Sequence, residues 1–249
     1  MSLLLLFLLG LAVGSFLNVL ALRHKKNGRI LTRDILFGRS RCRACRKTLV
    51  WYELIPLFSF LWQKGKCRHC HEPLSRQYPL VEFGTAVIFA LTGSYLYPYG
   101  LWLVIFSALI LVALIDFRMK IIPDQMNLLL LLAGGALVAT NQIGFLSLTN
   151  HIIGLLAGFG LIGLIVVLTD GKGMGEGDWK MAAALGFIFG WPQILVLLAL
   201  GFIVGGLFAC GILAVGKKTL GGTLPFGPFL VISSLITAFW GEAIVRWYF

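Results

Sequence analysis

Apolar residues gather in eight long stretches, near residues 2–22, 79–97, 100–117, 123–140, 148–169, 178–191, 193–215 and 226–246. By hydropathy each reads as a transmembrane helix, for which about 20 apolar residues are needed. The sixth is unusual. From Trp179 to Gly190 it has 12 residues before Trp191-Pro192 interrupts it, which is ~18 Å of helix against a hydrocarbon core of ~30 Å. Either that helix starts below the interface or the glycine-rich Gly171–Asp178 run before it dips inward, and both sink Asp178 below the surface. The segment Trp51 to Trp62 is apolar but short, with Pro56 inside and basic flanks, and suits a place on the membrane surface rather than across it.

This pattern predicts an all-α polytopic membrane protein of about eight transmembrane helices, with a small polar loop domain. Composition agrees. Of the 249 residues, 59% are hydrophobic and 12% charged, with a mean hydropathy of +0.92, where soluble domains have roughly 45–50% apolar and about 25% charged residues. The net charge of +11 sits in one place: Arg23–Tyr78 holds 14 Lys and Arg against 3 Asp and Glu, and the remainder balances 7 against 7.

A basic loop beside a membrane helix reads first as a cytoplasmic loop near anionic lipid, and no nucleic-acid partner is expected. The run Met1–Leu22 has no Lys or Arg ahead of it and no A-x-A site after it, while Arg23, Lys25 and Lys26 follow. It is expected to persist as the first span, with the N-terminus outside. With that start, Arg118, Lys120, Lys172, Lys180, Lys217 and Lys218 all fall in the cytoplasm and Arg246 alone outside. Tyr95–Trp102 and Trp240, Trp247 and Tyr248 suit outer aromatic belts.

The loop contains Cys42-Arg43-Ala44-Cys45 and Cys67-Arg68-His69-Cys70. Two C-x-x-C knuckles in a reducing compartment point to a zinc ribbon, with Cys42, Cys45, Cys67 and Cys70 closing a structural tetrahedral site. A pair of disulfides is the alternative, suited to an oxidising compartment. His69 and His71 read as solvated surface residues, and Cys210 in the seventh span as a small packed hydrophobe.

The carboxylates carry the other candidate chemistry. Asp116 sits at the C-terminal end of the third span, where the helix dipole disfavours an acid, at the edge of the hydrocarbon. Asp178 follows Gly175-Glu176-Gly177 at the start of the sixth span, on the same side of the membrane. These glycines suit a tight turn with positive φ, but their spacing fits neither a P-loop nor a dinucleotide fingerprint. Asp124 follows Pro123 at a helix start and reads as structural there. Glu82 lies just inside the second span, where it either pairs with a loop cation or faces a polar site. In the first span, Gly14-Ser15-Phe16-Leu17-Asn18 offers small residues and one amide for helix packing.

Asp116 and Gly175-Glu176-Gly177-Asp178, taken with the cysteine loop, resemble the type IV prepilin peptidases, a family of membrane aspartic proteases with a G-x-G-D motif. The resemblance covers nearly the whole chain. It runs through Gly14–Val19, both C-x-x-C pairs, Leu54–Ser59, Gly65–Arg68, Tyr78–Glu82, Asp116, Ile122-Pro123-Asp124 and Pro225–Phe229, with no departure at the motif positions. It implies a first transmembrane helix at 1–22, a basic cytoplasmic loop at 23–78 that binds zinc through its four cysteines, and a seven-helix membrane-embedded peptidase domain at 79–249. It also implies Asp116 and Asp178 as the catalytic pair, with Gly175, Glu176 and Gly177 as the active-site loop.

The implied substrates are prepilins or type II secretion pseudopilins, whose basic leaders are cut at the cytoplasmic face of the bacterial inner membrane. N-methylation of the new terminus with S-adenosylmethionine is implied as well; no residue here assigns its site. Glu82, Asp124, Asp170 and Glu176 are candidates to support the site or receive a basic leader. The residue chemistry suits peptide hydrolysis, since one carboxylate must activate water while the other polarises the carbonyl, and two close acids share a proton. Two other classes compete. An ion- or proton-coupled transporter explains Asp116, but not the ribbon or G-x-G-D. A membrane scaffold explains the loop but not the buried acids.

Overall fold

The computed structural model describes residues 2–25, 28, 38–140, 148–215 and 224–248. Lys26, Lys217 and Lys218, which entered the charge argument, and residues 29–37 of the basic loop lie outside the described residues. All regular structure among the described residues is helical, apart from two isolated bridges, Arg41 with Thr48 and Lys66 with Pro73. In order, the elements are α1 (Leu3–Arg23), a 3-10 turn (Trp51–Leu54), α2 (Phe58–Trp62), α3 (Gln77–Tyr95), α4 (Tyr99–Met119), α5 (Asp124–Ala139), α6 (Leu148–Leu168), α7 (Glu176–Phe189), α8 (Gln193–Ala214) and α9 (Gly227–Tyr248).

Each of the eight apolar stretches is a helix. Five of them, α1, α4, α6, α8 and α9, are long and apolar enough to cross a membrane, which makes this a multi-pass membrane protein. The other three are the 19-residue α3, the 16-residue α5 and the 14-residue α7. The Trp51–Trp62 segment is broken by Pro56 and by Leu57 at φ 58°, leaving Trp51, Phe58, Leu61 and Trp62 exposed. Cys210, expected to pack inside, lies on an exposed face of α8. A helix uniformly apolar around its circumference does not reveal from sequence which side faces its neighbours.

The chain divides into two compact units, Met1–Tyr95 and Leu96–Phe249. In the first, α1 lies along α3. A Cβ on Gly10 would sit 2.6 Å from Ala86 Cα and one on Gly14 would sit 2.9 Å from Glu82 Cα, so both glycines are required by backbone approach. Asn18 is buried, and its Oδ1 accepts from Gln77 Nε2 at 3.3 Å.

In the second unit α7 packs against α5, α6, α8 and α9, and α4 packs against α5 and α9. The α6–α7 seam is tight: a Cβ on Gly154 would overlap the Gly186 carbonyl, and one on Gly158 the Ala182 carbonyl. Near the start of α7 Trp179 Nε1–H donates to the Phe159 carbonyl at 2.7 Å, and the two rings lie 4.6 Å apart. At the other end the buried His151 ring meets the Phe187 carbonyl at 2.9 Å, and Trp191 N–H donates to the Asn150 carbonyl at 3.0 Å. Lipid-embedded helices gain little from apolar burial against one another, so this small-residue contact and its hydrogen bonds fix the position of α7.

The seam can be tested with two glycines on α6. Gly158→Val places a branched side chain against Ala182, whereas Gly160 faces open space. Gly158→Val should lower stability by about 3 kcal/mol, read as a clear fall in melting temperature in detergent. Gly160→Val, with the same helix propensity, should melt close to the parent.

Candidate active site

Asp116 is 4% exposed, near the end of α4. Its own helix closes with Lys120 in the left-handed region at φ 55°, donating its N–H back to the Asp116 carbonyl at 2.8 Å. The side chain finds its donor elsewhere. Gly227 N–H, at the first residue of α9, donates to Asp116 Oδ2 at 2.9 Å. The positive end of α9 thus answers the acid that sits at the negative end of α4. A Cβ at Gly227 would lie 2.7 Å from Asp116 Oδ2, so the seat exists only with glycine there.

Asp178 is the third residue of α7, one turn inside the helix rather than ahead of it. Its Oδ2 reaches back to accept the Gly175 N–H at 3.2 Å, which caps the helix start. Its Oδ1 is buried and has no hydrogen-bond partner. Asp116 and Asp178, 62 residues apart in sequence, are close enough for their charges to act on one another. Both α4 and α7 rest on α5 and α9, so the two helices that carry the acids share the same supports.

The G-x-G-D glycines serve close approach rather than unusual dihedrals. Gly175 has an ordinary extended backbone, φ −81° and ψ 157°. A Cβ on Gly177 would lie 2.9 Å from Ile122 Cβ, so this glycine lets the first turn of α7 lie against the link between α4 and α5. Of the glycines in the Gly171–Gly177 run, Gly171 is the one with positive φ, at 70°.

The remaining acids have separate surroundings. Asp124, the first residue of α5, is exposed and pairs with Lys180 Nζ at 2.8 Å, tying the start of α5 to α7. Glu176 is exposed in the first turn of α7, and Asp170 is exposed at φ 49° in the turn after α6. Glu82 belongs to the first unit, is 6% exposed, and accepts the Leu57 N–H at 2.8 Å. That bond holds the strained Leu57 turn onto α3.

The four loop cysteines converge: the sulfurs of Cys42, Cys45, Cys67 and Cys70 all lie within 4.8 Å of one another. Cys42 and Cys70 Sγ are 3.8 Å apart, close to the ~3.8 Å edge of a tetrahedron with 2.3 Å metal–sulfur bonds and far from a disulfide. The two knuckles are the same turn used twice. Cys42 N–H bonds to the Lys47 carbonyl and Cys67 N–H to the Glu72 carbonyl, with Arg46 and His71 both at φ 58°. Backbone N–H groups of Cys70 and His69 hold the Cys67 thiol down at about 7. Against the lowering effect of the Glu72 N–H, desolvation and the neighbouring sulfurs push Cys70 up to about 11. Four thiolates cannot coexist so closely without a cation, so the donor set fits a soft divalent metal. His69 points elsewhere, its Nδ1 lying 3.2 Å from Lys47 Nζ.

Residues 8–96 match the Bacterial Peptidase A24 N-terminal domain, and residues 103–210 match the Type IV leader peptidase family. A protein of Aeromonas hydrophila named Prepilin leader peptidase/N-methyltransferase is 35% identical over 270 residues, covering 98% of this chain and 92% of its own. The chain belongs to the type IV leader peptidase family. Relatives of the same name in Bacillus subtilis (strain 168) and Pseudomonas aeruginosa are 33% and 31% identical. The former alignment covers 98% of this chain and 96% of the relative, the latter 97% and 91%. No solved structure matches. In this leader peptidase family member, the match to the second model spans both Asp116 and Asp178, and the match to the first spans all four cysteines.

Sequence reasoning passed over Gly227 as a functional residue. Its signal was there in Pro225-Phe226-Gly227-Pro228, a glycine at a helix start beside a proline suited to the first turn. Gly227→Ala should displace the Asp116 carboxylate and cost about 1–3 kcal/mol by overpacking, read as a lower melting temperature. Gly206→Ala, on a face with open space, should melt like the parent.

Proposed function

We propose that this chain is a membrane-embedded aspartic endopeptidase that cleaves the basic leader from type IV prepilins or type II secretion pseudopilins and then N-methylates the new terminus. The observation that carries the peptidase reading is the placement of Asp116 and Asp178 near enough for their charges to interact within a helical membrane domain. The relatives, named for both activities, support it, and they lend none to a transporter.

Asp116 is held as a hydrogen-bond acceptor by the α9 N-terminus and takes the proton from the attacking water. Asp178 turns its unpartnered Oδ1 to the scissile carbonyl and presents a proton to its oxygen. Water adds to the carbonyl carbon, the C–N bond breaks, the proton held on Asp116 passes to the departing amine, and the new carboxyl group returns the other proton to Asp178. Gly175, Glu176 and Gly177 set the loop, while exposed Asp170 and Glu176 give a basic leader an acidic approach. Asp124, paired to Lys180, and Glu82, bonded to Leu57, brace the structure around them.

All eight apolar helices cross or enter the bacterial inner membrane in this reading. The N-terminus is periplasmic, and the cysteine loop and active site face the cytoplasm. Cys42, Cys45, Cys67 and Cys70 hold one structural zinc in a ribbon-like fold. S-adenosylmethionine supplies the methyl group for the second activity.

Processing of a co-expressed prepilin, followed by mass analysis of the pilin N-terminus, tests the central reading. Asp116→Asn and Asp178→Asn should each abolish cleavage in well-expressed protein, and the double variant should be no worse, because residues acting as a unit are non-additive. Asp124→Asn and Asp170→Asn should keep measurable cleavage. Substantial cleavage by Asp178→Asn would end the aspartic-protease reading.

Metal analysis of purified protein should find one zinc per chain, and Cys45→Ser should release it while the helices stay inserted. In a variant with its native cysteines replaced, a single Cys at Lys172 should resist an impermeant reagent applied to intact cells. A single Cys at Tyr97 should react.

A further inference from the structure

The first unit holds a buried acid that neither the aspartate pair nor the cysteine cluster uses. Glu53, in the Trp51–Leu54 turn, has a side chain only 2% exposed. Its Oε2 accepts the Val50 N–H at 3.0 Å, and its Oε1 is buried without a hydrogen-bond partner. The His69 ring stands off at 3.8 Å, with its other nitrogen turned to Lys47. A carboxylate oxygen left so is costly unless a cation completes it.

Glu53 helps to line a cavity of about 190 Å³, together with Tyr52, Phe58, Trp62 and Arg68. A second cavity of about 340 Å³ adjoins it, sharing Trp62, Gln63 and Arg68 and adding Lys64, Lys66 and His71. Together they fall in the range of roughly 300–1,000 Å³ usual for small-molecule sites. Arg68 is held with its guanidinium 5.5 Å from the centre of the Tyr52 ring, and Trp62, 75% exposed, stacks on Phe58 at 5.6 Å.

Each feature selects a chemical group. A buried carboxylate among aromatic rings takes a cation carried on an apolar group, such as a sulfonium or an ammonium. Basic side chains at the rim take a carboxylate. An open indole face takes a planar heterocycle. We propose that this two-lobed site binds S-adenosylmethionine, with Glu53 facing its positive charge, Arg68 its carboxylate and Trp62 its adenine.

The proposal rests on the methyltransferase reading above and gives that activity a place. The neutral N-terminal amine of the acceptor uses its lone pair to form the new C–N bond. The C–S bond breaks with its electron pair returning to sulfur, and the methylated ammonium gives its proton to water.

Equilibrium binding of tritiated S-adenosylmethionine to the full-length, zinc-loaded protein in lipid nanodiscs tests this. Saturable binding should quench tryptophan emission. Glu53→Gln keeps an oxygen for the Val50 N–H but loses the charge, and should weaken binding about tenfold or more. Trp62→Ala, at an exposed position that cannot disturb a core, should weaken it and remove most of the quench. Binding by both variants within about twofold of the parent would overturn the proposal. So would a Glu53→Gln protein with lowered melting temperature but unchanged binding, since Glu53 would then only pin its turn. So too would a Trp62→Ala protein altered only in its partition to vesicles, which would make these aromatics a membrane anchor.

Methylation of a co-expressed pilin by the parent separates the two levels. A parent that methylates while both variants bind normally sinks only this site. A parent that neither methylates nor binds the donor sinks the methyltransferase reading with it.

Discussion

A carboxylate buried at the C-terminal end of its own helix meets unsatisfied carbonyls there and can obtain no donor from that helix. In a hydrocarbon setting water is not at hand to help. Asp116 meets this constraint by borrowing the opposite end of another helix, through the Gly227 N–H. The arrangement joins the end of α4 to the start of α9, and it tolerates no side chain at the point of contact. On the two helices so joined, α5 packs against α4 and α7 against α9.

The second acid is held by a different device. Asp178 is fixed by its role in capping α7, and α7 is fixed by glycines that admit backbone to backbone contact along α6. Gly177 against Ile122 and Lys180 against Asp124 then settle the first turn of α7 beside the α4–α5 link. One acid is thus placed by a foreign helix terminus and the other by its own. The pair keeps one buried oxygen, Asp178 Oδ1, that the protein leaves without a partner.

Much of this was legible in the chain. Continuous apolar runs gave all eight helices because hydropathy reports membrane burial without reference to tertiary contacts. Asp116 and Asp178 stood out because an acid at an apolar helix end is costly, and the cysteines because two identical spacings are hard to obtain by accident. What escaped notice depends on pairs of distant residues. Gly227 is an ordinary helix-start glycine until Asp116 is opposite it, and Gly177 looks like a turn residue until Ile122 touches it. Asp124 read as a lone dipole residue because Lys180 lies 56 positions away. Glu53, one of three acids in a loop of fourteen bases, carries no sign of its burial in sequence, since local composition does not report which side chains are enclosed. Cys210 misled for the opposite reason, an apolar helix offering no sign of its lipid-facing side.

The brevity of α7 is answered inside the protein. Its 14 residues make a rod of ~21 Å, about 9 Å less than the usual hydrocarbon thickness. From Met181 to Phe189 no residue of α7 is exposed, so the longer α6 and α8 packed beside it, rather than lipid, wall off the depth that it does not span. Because Asp178 rides on the first turn of that helix, its depth is set by how α7 is seated among its neighbours, and acyl-chain length can reach it only through them. A helix too short to span is thus kept in register by protein rather than by the bilayer.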